Sequence, residues 1–283
     1  MNYAKSAEAK NIARKLMLKK AKKIFLIIFI GLFIFWTSFS LPEIAFAATA
    51  TEGFDYTATE GLIGKNGGSN FTSAWSFTST PASQTDPTIT ADASCSAPSS
   101  GNCVTAENTN ATFVYRQFGA ITAGGRISFY FSKATETNSE GNAVFFCPDG
   151  VFGQFDCSDA GELFSIIVNR PGAGGSVLLR ASGGTDNLGS WTENTFQQVL
   201  VDYAGDFGSG KGCSSTQVTA SFNGGAWSTC RTLDTTGNAG TIQFSGGSSD
   251  SFWLDTLSID GVPAQAGPAT APNNSRPWLW IQL

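Results

Sequence analysis

Paired glycines divide most of this 283-residue chain into short segments, and this spacing is the strongest constraint on its fold. Glycine adopts the positive φ angles that tight turns require, so glycine pairs mark turns. The segments between them are rich in Phe, Val, Ile and Thr, and the clearest one alternates with period two: Ile127, Phe129 and Phe131 share a face of Arg126–Ser132. The glycine pairs lie at 67–68, 124–125, 174–175, 183–184, 224–225 and 246–247.

Many short strands joined by tight turns predict an all-β fold. The segment Gln217–Phe222, the turn residues 223–225 and Ala226–Trp227 predict a hairpin. After residue 47 we find no convincing amphipathic helix and no internal repeat. Roughly a dozen strands exceed one simple sheet and favour a two-sheet sandwich. The other predicted strands are 112–118, 143–146, 163–168, 176–180, 197–201, 241–244 and 251–259.

The first 47 residues predict a secretory signal. Eight of the 17 basic residues precede an apolar run from Ile24 to Leu41, and Ala45-Phe46-Ala47 places small residues where a signal peptidase cleaves. We expect cleavage after Ala47, although the apolar run is just long enough for an uncleaved membrane anchor. Residues 48–262 then form the folded domain, and the Pro/Ala-rich stretch 263–283 forms a linker and tail.

The part of the chain after the signal is acidic. It carries nine basic and 20 acidic side chains, a formal charge of −11. An acidic surface repels phosphate backbones, which argues against a nucleic-acid partner. We expect membrane contact only through the signal segment.

All six cysteines follow the signal, and an even number in an exported chain predicts disulfides. Six cysteines allow 15 connectivities. Spacing favours pairs of neighbours, because each pair would close a short loop rich in Gly, Ser, Pro and Asp. A zinc cluster is disfavoured, because the chain has no histidine and no Cys-x-x-Cys pair. The expected disulfides are Cys95–Cys103, Cys147–Cys157 and Cys213–Cys230.

Two segments that bracket the domain carry a family resemblance. Glu52–Tyr56, followed by Asn66-Gly67-Gly68 and Trp75, resembles the first strands of bacterial laminin-G-like domains, and Phe252–Gly261 is similar to their last strand. The resemblance implies a concanavalin A-like jelly roll, an antiparallel two-sheet sandwich whose first and last strands lie together. Carbohydrate-binding modules of the galactose-binding type end in a similar strand, so another jelly roll is the alternative.

The resemblance also implies a structural cation. Relatives often hold Ca²⁺ between acidic residues of the first and last strands, and Asp55 and Asp255 match those positions. By period two, Asp255 shares a face with Trp253, Leu257 and Ile259. A carboxylate on a buried face must be paired, metal-bound or neutralised. The alternatives are a bulge that turns Asp255 outward, or an ion pair with an arginine: Arg116 or Arg126.

Sequence patterns for catalysis are missing. The absence of histidine excludes Ser-His-Asp and Cys-His nucleophile systems, and the Glu-x-Asp-x-Glu pair of some glycosidases with this fold is absent. Gly205–Gly212 nearly matches a phosphate-binding loop but lacks Ser or Thr after Lys211, so we interpret it as a turn. The densest acidic group is interpreted as a solvated loop: Asp149, Asp156, Asp159 and Glu162.

Aromatic rings are the remaining candidates for ligand contact. Most of the Trp and Phe side chains are expected in the core. Trp191 is expected to be exposed, because it follows an apparent loop in which Asp186 and Asn187 offer polar contacts.

The sequence thus predicts a secreted or cell-surface β-sandwich without catalytic activity. By fold analogy its partner is an extracellular glycan or a surface protein. The alternatives are a structural display module of a larger envelope protein and a divergent glycosidase.

Overall fold

The computed structural model describes residues 47–78, 86–90, 95, 102–106, 112–134, 142–153, 157, 161–169, 175–182, 184–246 and 252–263. The predicted signal up to Phe46 and the tail after Pro263 lie outside these residues. The part of the chain that the structure describes contains no helix long and apolar enough to span a bilayer.

The described residues form 15 β-strands. Nine of them cover the strands predicted from the sequence, with ends that differ by a few residues. The strands are β1 (Ala47–Glu52), β2 (Ser76–Phe77), β3 (Thr88–Thr90), β4 (Cys103–Ala106), β5 (Thr112–Gln117), β6 (Gly125–Lys133), β7 (Asn142–Pro148), β8 (Phe164–Val168), β9 (Ser176–Ala181), β10 (Gly184–Ser190), β11 (Gln197–Tyr203), β12 (Gln217–Phe222), β13 (Arg231–Thr232), β14 (Ala239–Gly246) and β15 (Phe252–Pro263).

The strands build two antiparallel sheets. One has the order β13-β12-β11-β6-β15-β4-β3, and β1 also pairs with β15. The other has the order β10-β9-β8-β7-β14-β5-β2. This arrangement confirms the predicted all-β fold, a two-sheet antiparallel jelly-roll sandwich.

Aromatic side chains fill the space between the sheets. Phe129 and Phe131 are buried, as their period-two pattern predicts. The Phe131 ring stacks on Phe222 and Phe252, with centroids 5.8 and 5.9 Å apart. Stacked pairs of this kind stabilise a core beyond the area that they bury.

The first and last strands lie side by side, as the family resemblance implies. β1 pairs antiparallel with β15, with Ala50 opposite Ile259 and Glu52 opposite Leu257. The pairing of β15 with its other neighbour, β6, is irregular, because its register shifts between Asp255 and Ser258.

This bulge changes the face that each β15 residue occupies. Leu254 and Asp255 are both buried although they are consecutive, and Thr256 has a φ of 45°. Asp255 is not exposed to solvent. Trp253 and Asp255 lie opposite Ser132 and Tyr130 of β6, so the pairing keeps them on one face, whereas Ile259 lies opposite Ile127 and the shift takes it off that face.

All three predicted disulfides are present: Cys95–Cys103, Cys147–Cys157 and Cys213–Cys230.

The predicted hairpin differs in its second arm. β12 pairs with β13, not with Ala226–Trp227. After the turn at Asn223 the Ser228 N–H donates to the carbonyl of Ala220 at 2.8 Å, and regular strand pairing resumes at Arg231.

Candidate functional site

A cavity of about 350 Å³ opens where β1, β15 and the loop 66–68 meet. Its volume lies at the lower end of the range typical of small-ligand pockets. Four of its ten lining residues carry a hydroxyl group, two carry a carboxylate and three are glycines. We call it the seam pocket, and its lining residues are Thr51, Glu52, Gly53, Asp55, Tyr56, Gly67, Gly68, Thr256, Leu257 and Ser258.

Glu52, at the end of β1, is the centre of a buried polar network behind one wall of the seam pocket. Its side chain is 2% exposed and pairs with Arg116. One carboxylate oxygen accepts the backbone N–H of Phe54 at 2.9 Å. The other accepts Tyr56 Oη at 2.8 Å and Trp75 Nε1 at 3.3 Å. Four donors therefore satisfy this buried carboxylate.

Arg116 joins this network from β5, in the opposite sheet. Its guanidinium is 1% exposed and donates to the backbone oxygens of Ser73, at 2.9 Å, and Gly67. It also donates to Asn66 Oδ1 at 3.1 Å and lies 4.0 Å from the centroid of the Phe71 ring. Burial lowers the pKa of Arg116, and the charge of Glu52 opposes that shift. One arginine thereby fastens the loop 66–73 to both sheets.

Tyr56 connects the network to the seam pocket. Its hydroxyl donates to Glu52 and accepts the Gly67 N–H at 2.8 Å. Burial and then the charge of Glu52 raise the pKa of Tyr56 to about 12. The phenol therefore keeps its proton at neutral pH and acts as a fixed hydrogen-bonding group.

The backbone around the seam pocket adopts unusual conformations. Phe54 and Thr256, on opposite sides, have φ angles of 54° and 45°. Such residues cost about 1–3 kcal/mol each and cluster at functional sites. Gly68 has a φ of 73°, and a Cβ there would lie 2.2 Å from the carbonyl oxygen of Thr51. Only glycine fits this close approach of the loop to β1.

The two residues predicted to share a cation differ in their exposure. Asp55 is exposed and lines the seam pocket. Asp255 is fully buried, and Thr256 Oγ1 donates to it at 3.1 Å. Asp255 borders a small void whose other lining residues are apolar: Phe54, Trp75, Phe129, Val144, Ile242, Phe244, Leu254 and Leu257. The two arginines considered as partners pair elsewhere, Arg116 with Glu52 and Arg126 with Asp202.

A Ca²⁺ ion prefers six to eight oxygen ligands. Among the described residues there is no group of three His, Cys, Asp or Glu side chains that could hold a metal ion. The cation shared by Asp55 and Asp255 stays a prediction, and thermal unfolding in Ca²⁺ and in EDTA tests it.

The residues predicted to contact a ligand near Trp191 lie in a different environment from the one expected. Trp191 is buried, 8% exposed, and its Nε1 donates to the carbonyl of Asn169 at 2.6 Å. The expectation that its ring is exposed is wrong, because the chain before it is strand β10 and not a loop. Asp186 and Asn187 belong to β10, where Asp186 pairs with Arg231.

The loop that nearly matches a phosphate-binding motif is filled by its own carboxylate. Asp206 accepts the backbone N–H groups of Gly208, Gly210 and Gly212 at 3.1, 3.0 and 2.8 Å. These hydrogen bonds lower the pKa of Asp206 to about 2. The N–H groups that would bind a phosphate are therefore satisfied, which agrees with the interpretation of this segment as a turn.

The two described members of the acidic group near Cys147 differ in their exposure. Asp149 is exposed, whereas Glu162 is buried and its carboxylate accepts Arg180 Nε at 2.6 Å. Burial raises the pKa of Glu162, and Arg180 opposes that shift. The other two members, Asp156 and Asp159, lie outside the described residues.

Sequence reasoning missed the Glu52–Arg116 pair, although a signal for it exists. Glu52 follows Ala50 by two residues and Arg116 follows Val114 by two, so each charge has the phase of a buried neighbour. Two opposite charges at core positions of two strands indicate a buried pair.

No protein-family model and no curated protein matches this chain. Solved structures of similar fold include the carbohydrate recognition domain of Emp47p, with a TM-score of 0.46, 7% identity and coverage of 76% of this chain and 98% of that one. The lumenal domain of VIP36, bound to Ca²⁺ and Man2, has a TM-score of 0.40, 13% identity and coverage of 69% and 82%.

A sialidase also matches, with a TM-score of 0.43 and 9% identity over 65% of this chain, which spans only 16% of the sialidase. At these values the likeness concerns the fold and does not extend to ligand or activity. The fold itself is an antiparallel two-sheet jelly-roll sandwich with the first and last strands paired.

Proposed function

We propose that this chain is an exported, non-catalytic module that binds a saccharide in the seam pocket. The observation that carries the proposal is the lining of the pocket. Thr51, Tyr56, Thr256 and Ser258 bring hydroxyl groups, Asp55 brings an exposed carboxylate, and Gly67 and Gly68 leave backbone accessible. Hydroxyl and carboxylate groups are the partners that sugar hydroxyls need for hydrogen bonds.

Rigidity of the lining supports binding. The Glu52 network fixes Tyr56 and the loop 66–68 before any ligand arrives. A preorganised site loses little conformational entropy when it binds, which favours affinity from a small contact area.

The arrangement of Glu52 and Tyr56 supports a role without catalysis. A glycosidase needs one protonated carboxyl group as an acid and a second one as base or nucleophile. The oxygens of Glu52 accept hydrogen bonds from four donors, including Arg116, so this carboxylate is engaged as an acceptor and is not arranged as a proton donor. Tyr56, with a pKa of about 12, is not an activated nucleophile at neutral pH.

Export is supported by the disulfides. Three disulfides persist in an oxidising compartment such as the cell exterior or the periplasm. The predicted signal at 1–47 agrees with that location, and the linker at 263–283 with attachment to a larger assembly.

The experiment is a glycan array with the secreted protein and a variant whose pocket is filled. Thr51→Trp places a large ring in the seam pocket, and we expect it to lower the binding signal at least tenfold. Thr49→Trp is the matched control, because Thr49 is also an exposed threonine of β1 but does not line the pocket. Each threonine makes one side-chain hydrogen bond at 2.8 Å, Thr51 with Ser69 and Thr49 with Asp260.

Three results would change the proposal. Equal loss in both variants would place the binding surface outside the seam pocket. No binding to any glycan would favour the display or adhesive module. Hydrolysis of an oligosaccharide that Glu52→Gln abolishes would identify a glycosidase.

A further inference from the structure

The charges around the seam pocket differ from those of a site for acidic sugars. Two carboxylates line the pocket, Glu52 and Asp55, and no basic side chain does. Glu52 is neutralised by Arg116, which is itself 1% exposed and sealed behind Glu52 and Tyr56. The Glu52 carboxylate therefore compensates the charge of the Arg116 guanidinium, which makes no contact with the pocket interior.

Asp55 is different from Glu52 in its surroundings. Its carboxylate is exposed and makes no hydrogen bond or ion pair with any described residue. Besides Arg116, Lys65 lies beside this wall, with its ammonium 5.9 Å from the centroid of the Tyr56 ring. Lys65 pairs with Glu60, so its charge is also compensated. One uncompensated negative charge thus remains at the pocket.

We infer that the seam pocket selects saccharides by charge, favouring an amino sugar over a neutral sugar and rejecting an acidic one, with Asp55 as the selecting residue. The inference rests on the proposed function and specifies its ligand class. A unit charge about 5 Å from a carboxylate in water changes affinity about fourfold. The ratio between an amine and an acid at the same position is then about fifteenfold.

The probes are sugars that differ in one substituent. Methyl glycosides of glucosamine, glucose and glucuronic acid form one series, and the corresponding galacto and manno sugars form two more. Dissociation constants are measured by NMR titration of the secreted protein in about 10 mM salt, where screening is weak because the Debye length is about 30 Å. In a series that binds, we expect the order amine, neutral, acid from tight to weak, with a span of about fifteenfold.

Asp55→Asn removes the charge and keeps the shape of the side chain. In this variant we expect the dissociation constants of the amino and the acidic sugar to differ by about twofold or less. The neutral sugar should keep its affinity within about threefold. Asp260→Asn is the matched control, because Asp260 is an exposed acid of β15 that bonds Thr49 and does not line the pocket. It is expected to leave the full span.

The outcomes separate this inference from the proposed function. If an acidic sugar binds as tightly as its neutral counterpart, or if the span survives in Asp55→Asn, charge selection by Asp55 is wrong and saccharide binding stands. If no sugar of any series or of the glycan array binds, the proposed function fails and this inference with it.

Discussion

Arg116 carries a positive charge into the core and contacts three segments of the chain there. It contacts Glu52 in β1, Asn66 and Gly67 in the loop beside the pocket, and Ser73 before β2. Removing water from a charged pair is costly, and a buried pair is retained only where its geometry satisfies both partners. Here the pair fixes the wall of the seam pocket, which is a role that apolar side chains could not fill.

We expect Arg116→Met to lower the free energy of unfolding by about 3–5 kcal/mol, because it leaves Glu52 buried without its cation. Guanidinium denaturation with intact disulfides measures the change. The double variant Glu52→Gln, Arg116→Met removes both charges and should recover part of the loss. A single variant within about 1 kcal/mol of the wild type would contradict a buried, fully ionised pair.

At the scale of strands and loops, the glycine-rich segment 205–212 is organised by acidic side chains. Asp206 collects the N–H groups of three glycines, and Asp202 accepts the N–H groups of Phe207 and Ser209, each at 2.9 Å. Arg126 Nε donates to the other oxygen of Asp202 at 2.8 Å. Carboxylates therefore give a fixed shape to a sequence that would otherwise be flexible.

Asp206→Asn tests this organisation through pH. The pKa of Asp206 is about 2 in the folded protein, below its ordinary value of 3.8, so the ionised carboxylate stabilises the fold. That contribution is complete above about pH 4 and is lost as the pH falls to about 2. We expect the variant to melt at a lower temperature than the wild type at pH 7.

The gap between the two melting curves should close between about pH 4 and pH 2, where the wild-type carboxylate takes up its proton. Thermal unfolding of both proteins across this range, followed by circular dichroism, measures the gap. A gap that stays constant down to pH 2 would mean that Asp206 acts through its shape and not its charge.

Strands with a clear alternation of apolar and polar residues were predictable from the sequence. Strands that form only because a neighbouring strand pairs with them were not. β6 and β12 carry period-two patterns of large apolar residues. β10, with the sequence GTDNLGS, has turn-forming residues and becomes a strand because it pairs with β9. β1 consists mostly of Ala and Thr next to the signal, and its pairing with β15 is a contact more than 200 residues away in sequence.

The same limit applies to the seam pocket. Asp55 was predictable as a residue near the last strand, because the family resemblance places it there. The bulge that follows Asp255 was not, since period two continues through 255–258 in the sequence while the backbone shifts at Thr256. A local sequence pattern predicts which face of a regular strand each side chain occupies, but it does not predict a break in the register of that strand.

For the molecule as a whole, the disulfides connect residues that are close in sequence, with separations of 8, 10 and 17. Short separations made the pairing predictable from spacing. They also mean that each bridge stiffens one local loop and leaves the two sheets to be held together by the aromatic core.

We expect replacement of Cys213 and Cys230 by alanine to lower the free energy of unfolding by about 2–4 kcal/mol. This bridge closes the longest of the three loops, and Cys230 is only half-buried, so the substitution leaves little empty space in the core. Guanidinium denaturation without reductant, compared with the wild type, measures the loss. A loss below about 0.5 kcal/mol would show that the unfolded loop is already restricted without the bridge.

The pairing of β1 with β15 also decides how this protein responds to mechanical load. Ala47 and Pro263 are partners, so both ends of the folded domain leave the sheet at the same point. Tension applied between these two residues breaks the hydrogen bonds of the antiparallel pair one after another. This needs less force than shearing the two strands past each other. Glu52 lies at the far end of β1, so the strand must peel along its whole length before the seam pocket opens. A module held under tension at a cell surface would release its ligand only after that peeling.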